Sequence, residues 1–164
     1  MARAAQIATA EQAANDPLVL AFGRLQGAAN RLEYLLGRAI EKECGISHVM
    51  FEVLLILGRA KGAGMSMGAI AQERVLTTGG VTRLVDRMEQ AGLVSRDENP
   101  QDRRGRLVGL TPHGAETVVR AARLHVVNVQ RFLLDPLPAA DRVRFARDLR
   151  TVSLSASNAL PRLR

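Results

Sequence analysis

Residues 76 to 111 read Leu76-Thr-Thr-Gly-Gly-Val-Thr-Arg-Leu-Val-Asp-Arg-Met-Glu-Gln-Ala-Gly-Leu-Val-Ser-Arg-Asp-Glu-Asn-Pro-Gln-Asp-Arg-Arg-Gly-Arg-Leu-Val-Gly-Leu-Thr111. Val81, Leu84, Val85, Met88 and Ala91 recur at helical spacing, so a helix through them turns one apolar stripe toward a core. Gly92 follows where a left-handed residue ends a helix, and Thr77 or Thr78 can cap its start. The opposite face collects Gly79, Thr82, Arg83, Asp86, Arg87 and Gln90, and glycine near its N-terminal end lets a backbone approach another surface closely. Beyond Gly92, residues 93–97 and 107–110 are short strand candidates. The loop between them holds Asn99-Pro100 and then Asp102, Arg103, Arg104 and Arg106 around Gly105, so its tip is cationic.

An outward face of groove-reading side chains beside a basic hairpin is the layout of a winged helix-turn-helix. There the helix enters the DNA major groove and the hairpin reaches phosphates or the minor groove. An ordinary amphipathic helix next to a solvated charged hairpin has the same residue pattern, and these residues alone leave the two readings level.

The stretch resembles the core of the MarR (multiple antibiotic resistance regulator) family. The family's wing carries Asp-x-Arg, three residues, an aliphatic residue, x-Leu-Thr and x-x-Gly. Asp102, Arg104, Val108, Leu110, Thr111 and Gly114 meet that pattern here. The Thr-Gly-Gly-Val-Thr-Arg-Leu segment and Glu-Gln-Ala-Gly-Leu-Val are similar to the family's recognition helix and its exit, and the flanking helices extend the resemblance to about residues 17–160. The resemblance implies a mainly α fold with a small β-wing, a winged helix-turn-helix (47–111) flanked by N- and C-terminal dimerisation helices (16–44 and 112–160). It implies a homodimeric repressor of a palindromic double-stranded operator. Recognition-helix contacts would come from Thr77, Thr78, Gly79, Thr82, Arg83, Asp86, Arg87 and Gln90, and wing contacts from Asp102, Arg103, Arg104 and Arg106. It further implies relief by a small phenolic or anionic effector lodged between the dimer helices and the winged domain, with Arg24, Arg31, Tyr34, Phe51 and Glu52 as lining residues. Family subgroups that recognise urate use a Trp in an N-terminal helix and an Asp at the position of Glu52, and this chain has no Trp. The alternative is a ligand-independent DNA-binding activator or architectural protein.

Composition points the same way. At 164 residues with 47% hydrophobic residues, the chain is long enough for one domain with a real core. A net charge of +7 favours an anionic partner. Lys42 and Lys61 are the only lysines, and arginine-favouring codon usage would produce the same excess, so the weight falls on where the arginines sit. With 3% aromatic residues, stacking platforms for single strands are not expected. The lone Cys44 fits a reducing compartment and reads as an inert thiol. Residues 1–15, rich in Ala and Gln, read as a weakly helical or disordered extension rather than a signal peptide. No segment has the apolar length of a membrane span, so a cytoplasmic protein without a membrane partner is expected.

The remaining elements follow from caps. Asp16-Pro17 opens a long helix whose seam, Leu18, Phe22, Leu25, Ala29, Leu32, Leu36 and Ala39, has coiled-coil spacing and ends at Cys44-Gly45. Ser47 caps a second helix with Met50, Val53, Leu54 and Leu57 inward. Met65-Ser66-Met67 suits an edge strand, and residues 67–74 a small helix anchored by Ile70 that turns at 75–77 into the recognition helix. Thr111-Pro112 starts a helix running to about Leu134, and a last helix from about Ala139 carries Val143, Ala146, Leu149, Val152 and Ala156. These outer seams exceed what a small winged domain can cover, and a dimer is their simplest use. No catalytic motif is present, so no enzyme, cofactor or metal site is expected. His48, His113 and His125 fall in no ligand pattern and read as solvated or capping side chains.

Overall fold

A computed structural model of the chain describes residues 7–74, 78–99 and 102–159, with all their side chains except those of Arg74, Thr78, Asp102, Arg103 and Arg104. In chain order the helices and strands are α1 (Ala10–Asn15), α2 (Pro17–Cys44), α3 (His48–Arg59), β1 (Met65–Ser66), α4 (Met67–Arg74), α5 (Thr78–Gln90), β2 (Val94–Asn99), β3 (Asp102–Leu110), α6 (Pro112–Val129) and α7 (Arg142–Ala159). A π turn, Gln130–Leu134, carries α6 on toward Asp135, and a 3-10 turn, Ala139–Asp141, leads into α7. The fold class is the expected one: mostly helix, with a three-stranded antiparallel sheet in the order β1-β3-β2.

The caps set the helix starts. Asp16 accepts hydrogen bonds from the N–H groups of Leu18 (2.8 Å) and Val19 (3.3 Å), with Pro17 at the first helical position. Ser47 Oγ accepts from Met50 N–H at 3.3 Å, and Gly45, at φ 71°, ends α2 in the left-handed conformation. Thr9 and Gln12 form a reciprocal capping box, so the N-terminal extension is helical over Ala10–Asn15. Residues 1–6 and the expected turn at 75–77 lie outside the described residues.

One core joins the parts. Ile40 of α2, Phe51, Val53, Leu54 and Leu57 of α3, Ile70 of α4, and Val81, Leu84, Val85 and Met88 of α5 pack with Leu93 and Val94, Val108 of β3, and Ala121 of α6. The α5 stripe is thus buried as its spacing requires. Met65 pairs with Val108 and Ser66 with Leu107, which tethers the two-stranded wing to the helices.

The tightest junction lies where the wing meets α6. Thr111 Oγ1 donates to the Gly92 carbonyl at 2.6 Å and accepts from Gly114 N–H at 2.9 Å, while Thr111 N–H donates to the Leu93 carbonyl at 3.2 Å. A Cβ added at Gly114 would stand 1.9 Å from the Leu93 carbonyl oxygen, a clash that only backbone movement could relieve. Position 114 therefore has to be glycine for α6 to start against the exit of α5.

The wing needs correction. The wing strands are longer than 93–97 and 107–110: β2 and β3 pair out to Asn99 and Asp102, with an irregularity between Glu98 and Asn99. Arg103, Arg104 and Arg106 therefore lie on strand backbone and not in a loop. Asp97 and Glu98, on opposite faces of the outer ribbon, are both exposed, and the sequence there carries no apolar alternation by which to find the strand ends. The outer seams, as their excess of apolar residues implies, are uncovered within one chain. Leu18, Phe22 and Leu25 of α2, Val126 and Val127 of α6, and Val143 and Val152 of α7 are exposed, and α7 contributes no buried residue. The chain exposes 12068 Å², where a compact monomer of this mass would expose about 8,000 Å².

Gly114→Ala is expected to lower the unfolding free energy by about 1 to 3 kcal/mol or more through overpacking against backbone. Gly68→Ala in α4, where an added Cβ meets nothing within 4 Å, should be neutral or stabilising by about 0.4 to 1 kcal/mol. Urea unfolding of the two variants checks both.

Candidate nucleic-acid interface

Burying Val81, Leu84, Val85 and Met88 turns the other face of α5 outward, where Gly79, Thr82, Arg83, Arg87 and Gln90 are exposed. Arg83 and Arg87 are one turn apart on that face. Neither has a hydrogen-bond or ion-pair partner among the described residues, and the same holds for the exposed Arg106 on β3. Within the described residues, these are cations that the fold leaves without counter-charge. Thr77 and the side chains of Thr78, Asp102, Arg103 and Arg104 lie outside the described residues.

Asp86 has a different situation from the rest of its face. Its carboxylate accepts from Arg96 Nη2 at 2.5 Å, and Glu89, one turn on, accepts from Arg96 Nη1 at 2.5 Å. In the ladder Val94 stands opposite Leu110 and Arg96 opposite Val108, so Arg96 shares the helix-facing side of the sheet with Val94, Leu110 and Val108. Burial works to lower its pKa, but the hydrogen bond to Asp86 and the charges of Glu89 and Asp86 outweigh this and raise it. Arg96 thereby clamps the wing to α5 and holds Asp86 toward β2. Helix and hairpin patterns in the sequence do not single out Arg96. The available signal is a strand arginine in phase with Val94, following two acids spaced i, i+3 on the preceding helix.

The five pocket candidates divide. Tyr34, with Asn30, Glu33, Gly37, Arg38 and His48, lines an open groove of about 380 Å³ along α2. Phe51 and Glu52 line a second cleft of about 220 Å³ between α3, α4 and α6, with His48, Arg59, Glu73 and His125. Arg24 and Arg31 are exposed on α2 and line neither.

The histidine expectation is also corrected: His48 and His125 are partly buried and stacked, with ring centroids 5.8 Å apart. Their 77-residue separation hides a contact made only when α3 packs on α6. Burial, then the charge of His48, holds His125 below the ordinary histidine pKa. Among the described residues no three His, Cys, Asp or Glu side chains are grouped to hold a metal ion. No described helix is long and apolar enough to cross a membrane.

A family model described as the MarR family matches residues 44–105. The HTH-type transcriptional regulator PecS of Dickeya dadantii is 30% identical over 121 residues, covering 71% of this chain and 72% of PecS. The transcriptional activatory protein BadR of Rhodopseudomonas palustris is 38% identical over 94 residues, 57% of this chain and 53% of BadR. The chain spans only 42 to 53% of the length of the first curated relatives it matches. Among solved structures, Sco3205, a MarR family transcriptional regulator from Streptomyces coelicolor in complex with DNA, aligns with a TM-score of 0.77. The alignment has 27% identity and covers 96% of this chain and 92% of that one.

The clamp can be measured by double-mutant cycles on Arg96→Ala with Asp86→Ala and with Glu89→Ala. Because both acids are about half exposed, each coupling is expected at about 0.2 to 1 kcal/mol at low salt, shrinking toward zero in about 1 M salt. The acid-to-Ala variants should each cost less than Arg96→Ala, which loses both partners.

Proposed function

The chain belongs to the MarR family of transcriptional regulators, and from that premise we propose that it is a cytoplasmic, homodimeric repressor of a palindromic operator, released by a small phenolic or anionic ligand. In this reading residues 47–111 form the DNA-reading head, and residues 16–44 and 112–160 join two copies. The observation that carries it is the set of exposed arginines Arg83, Arg87 and Arg106 on α5 and the wing, unpaired among the described residues, in a fold where Arg96 beside them is fully paired. A helix N-terminal arginine reaches base edges, and a wing arginine meets phosphate or a narrow, negative minor groove. Sco3205, whose fold the chain shares over nearly its whole length, is known in complex with DNA.

The uncovered seams support the dimer. Phe22 on α2 and Val126 on α6 are each 66% exposed in one chain, and Val143 on α7 is 82% exposed. A large apolar surface of this kind marks an association face, and two copies place two α5 helices on one duplex with dyad symmetry. For the ligand, the Tyr34 groove and the Phe51–Glu52 cleft are the candidate places, since both lie between the outer helices and the head. A second reading concerns the sign of regulation: BadR is a transcriptional activatory protein, and the same reading head serves an activator equally well.

Arg83 and Arg106 are expected to separate in their effects. Arg83→Ala should reduce discrimination between a selected duplex and scrambled DNA by about 1 to 3 kcal/mol. Arg106→Ala should weaken both alike and make the dependence of log K on log salt shallower by about 1 for each phosphate that goes unneutralised, or about 2 when both copies carry the substitution. Titration at several salt concentrations checks this. Unchanged specificity in the first variant together with an unchanged salt slope in the second would refute the assignment of the reading head.

A further inference from the structure

His48 opens α3 directly after its cap Ser47, and His125 lies in the last third of α6. Their rings stack at 5.8 Å and 28°, and Phe51 completes the cluster at 5.1 Å from His125 and 6.4 Å from His48. The Nδ1 atoms of both histidines are buried and have no hydrogen-bond partner. A neutral imidazole tolerates one bare acceptor nitrogen, whereas an imidazolium has two N–H donors to satisfy and repels a second cation stacked on it. The pair therefore suits two neutral rings.

Acidic groups stand close by on other elements. Glu33 Oε1 of α2 is 4.0 Å from His48 Nδ1, too long for a hydrogen bond but within a small ring rotation of one. Arg38 and Glu41 of α2 share the groove beside His48. Glu52 and Arg59 of α3 and Glu73 of α4 line the cleft beside His125.

We propose that the His48–His125 stack is a pH-sensitive latch between α3 and α6, closed when both rings are neutral and opened by a proton, and that opening lowers affinity for DNA. The link to DNA rests on the function proposed above, in which α3 belongs to the head and α6 to the helices that join two copies. The lowered pKa of His125 gives the sign. The closed form binds fewer protons than the open form, so its stability is complete above the ordinary histidine pKa and is lost as pH falls below it.

The test uses the full chain and a duplex selected from a random pool at about pH 8. Between about pH 7.5 and 5.5 the affinity of the native chain and of His113→Phe, an exposed control, should fall by about tenfold, the effect of one linked proton over one pH unit. His125→Phe, which keeps a ring in the stack but cannot take a proton, should fall by less than about twofold. The melting temperature of the DNA-free protein should show the same contrast over the same range. Equal pH dependence of melting in the native chain and His125→Phe would overturn the latch. Normal melting contrast with no duplex bound at any pH would instead overturn the DNA reading and leave the latch standing as a stability device. Should His125→Phe fail to fold, His125→Gln, which carries no charge at any pH, takes its place: its melting should vary less with pH than that of the native chain, and an equal variation would overturn the proposal.

Discussion

The Thr111 hydroxyl holds three elements at one point. It donates to the carbonyl at the end of α5, accepts from the first turn of α6, and its own backbone N–H closes on Leu93 at the root of the wing. Gly114 makes this possible, because the Leu93 carbonyl oxygen occupies the space a side chain would need. Moving α6 relative to α5 would break hydrogen bonds in a partly buried place, which is costly when no water replaces them. The direction of α6 is therefore set by the same contact that sets the exit of α5. Arg96 adds a second constraint on the other side by pinning the wing strand to Asp86 and Glu89. Helix and wing consequently present their outward arginines as one unit.

Much of this was legible in the sequence where burial imposes a period. The stripe Val81, Leu84, Val85 and Met88 is buried as its spacing implies, and Asp16-Pro17, Ser47 and Thr111-Pro112 all begin helices. Strand ends in the wing were not legible, because pairing beyond Asp97 is between charged or polar residues, Glu98 with Arg106 and Asn99 with Asp102, with no apolar alternation. The Arg96 clamp carried a signal in its phase with Val94, but identifying its partners required the packing of β2 on α5. The His48–His125 stack carried none: two residues 77 positions apart on different helices meet only through the tertiary fold. The residues expected to face DNA split along the same line. Arg83, Arg87 and Gln90 are exposed as their position on the wheel implies, whereas Asp86 turns to the wing because a guanidinium waits there.

The outer helices explain why so basic a chain carries so much apolar surface. Within one chain the first half of α2 and all of α7 bury almost nothing, yet both are amphipathic. Long helices with an unfilled seam are stable chiefly by packing rather than propensity. In the proposed dimer a second copy supplies that packing and spaces two heads at a fixed distance. Fixed spacing converts a modest single-head affinity into recognition of a two-part site.

The central claim is that two rigid heads, each inserting α5 into a major groove, read one duplex together. Methylation protection of guanine N7 on a duplex selected from a random pool tests it directly, since that atom lies in the major groove. The expected pattern is two protected clusters related by a dyad, with centres one helical turn apart, about 34 to 36 Å, or a multiple of it. A single protected cluster without a dyad-related mate, or bound DNA with no N7 protection at all, would contradict the account.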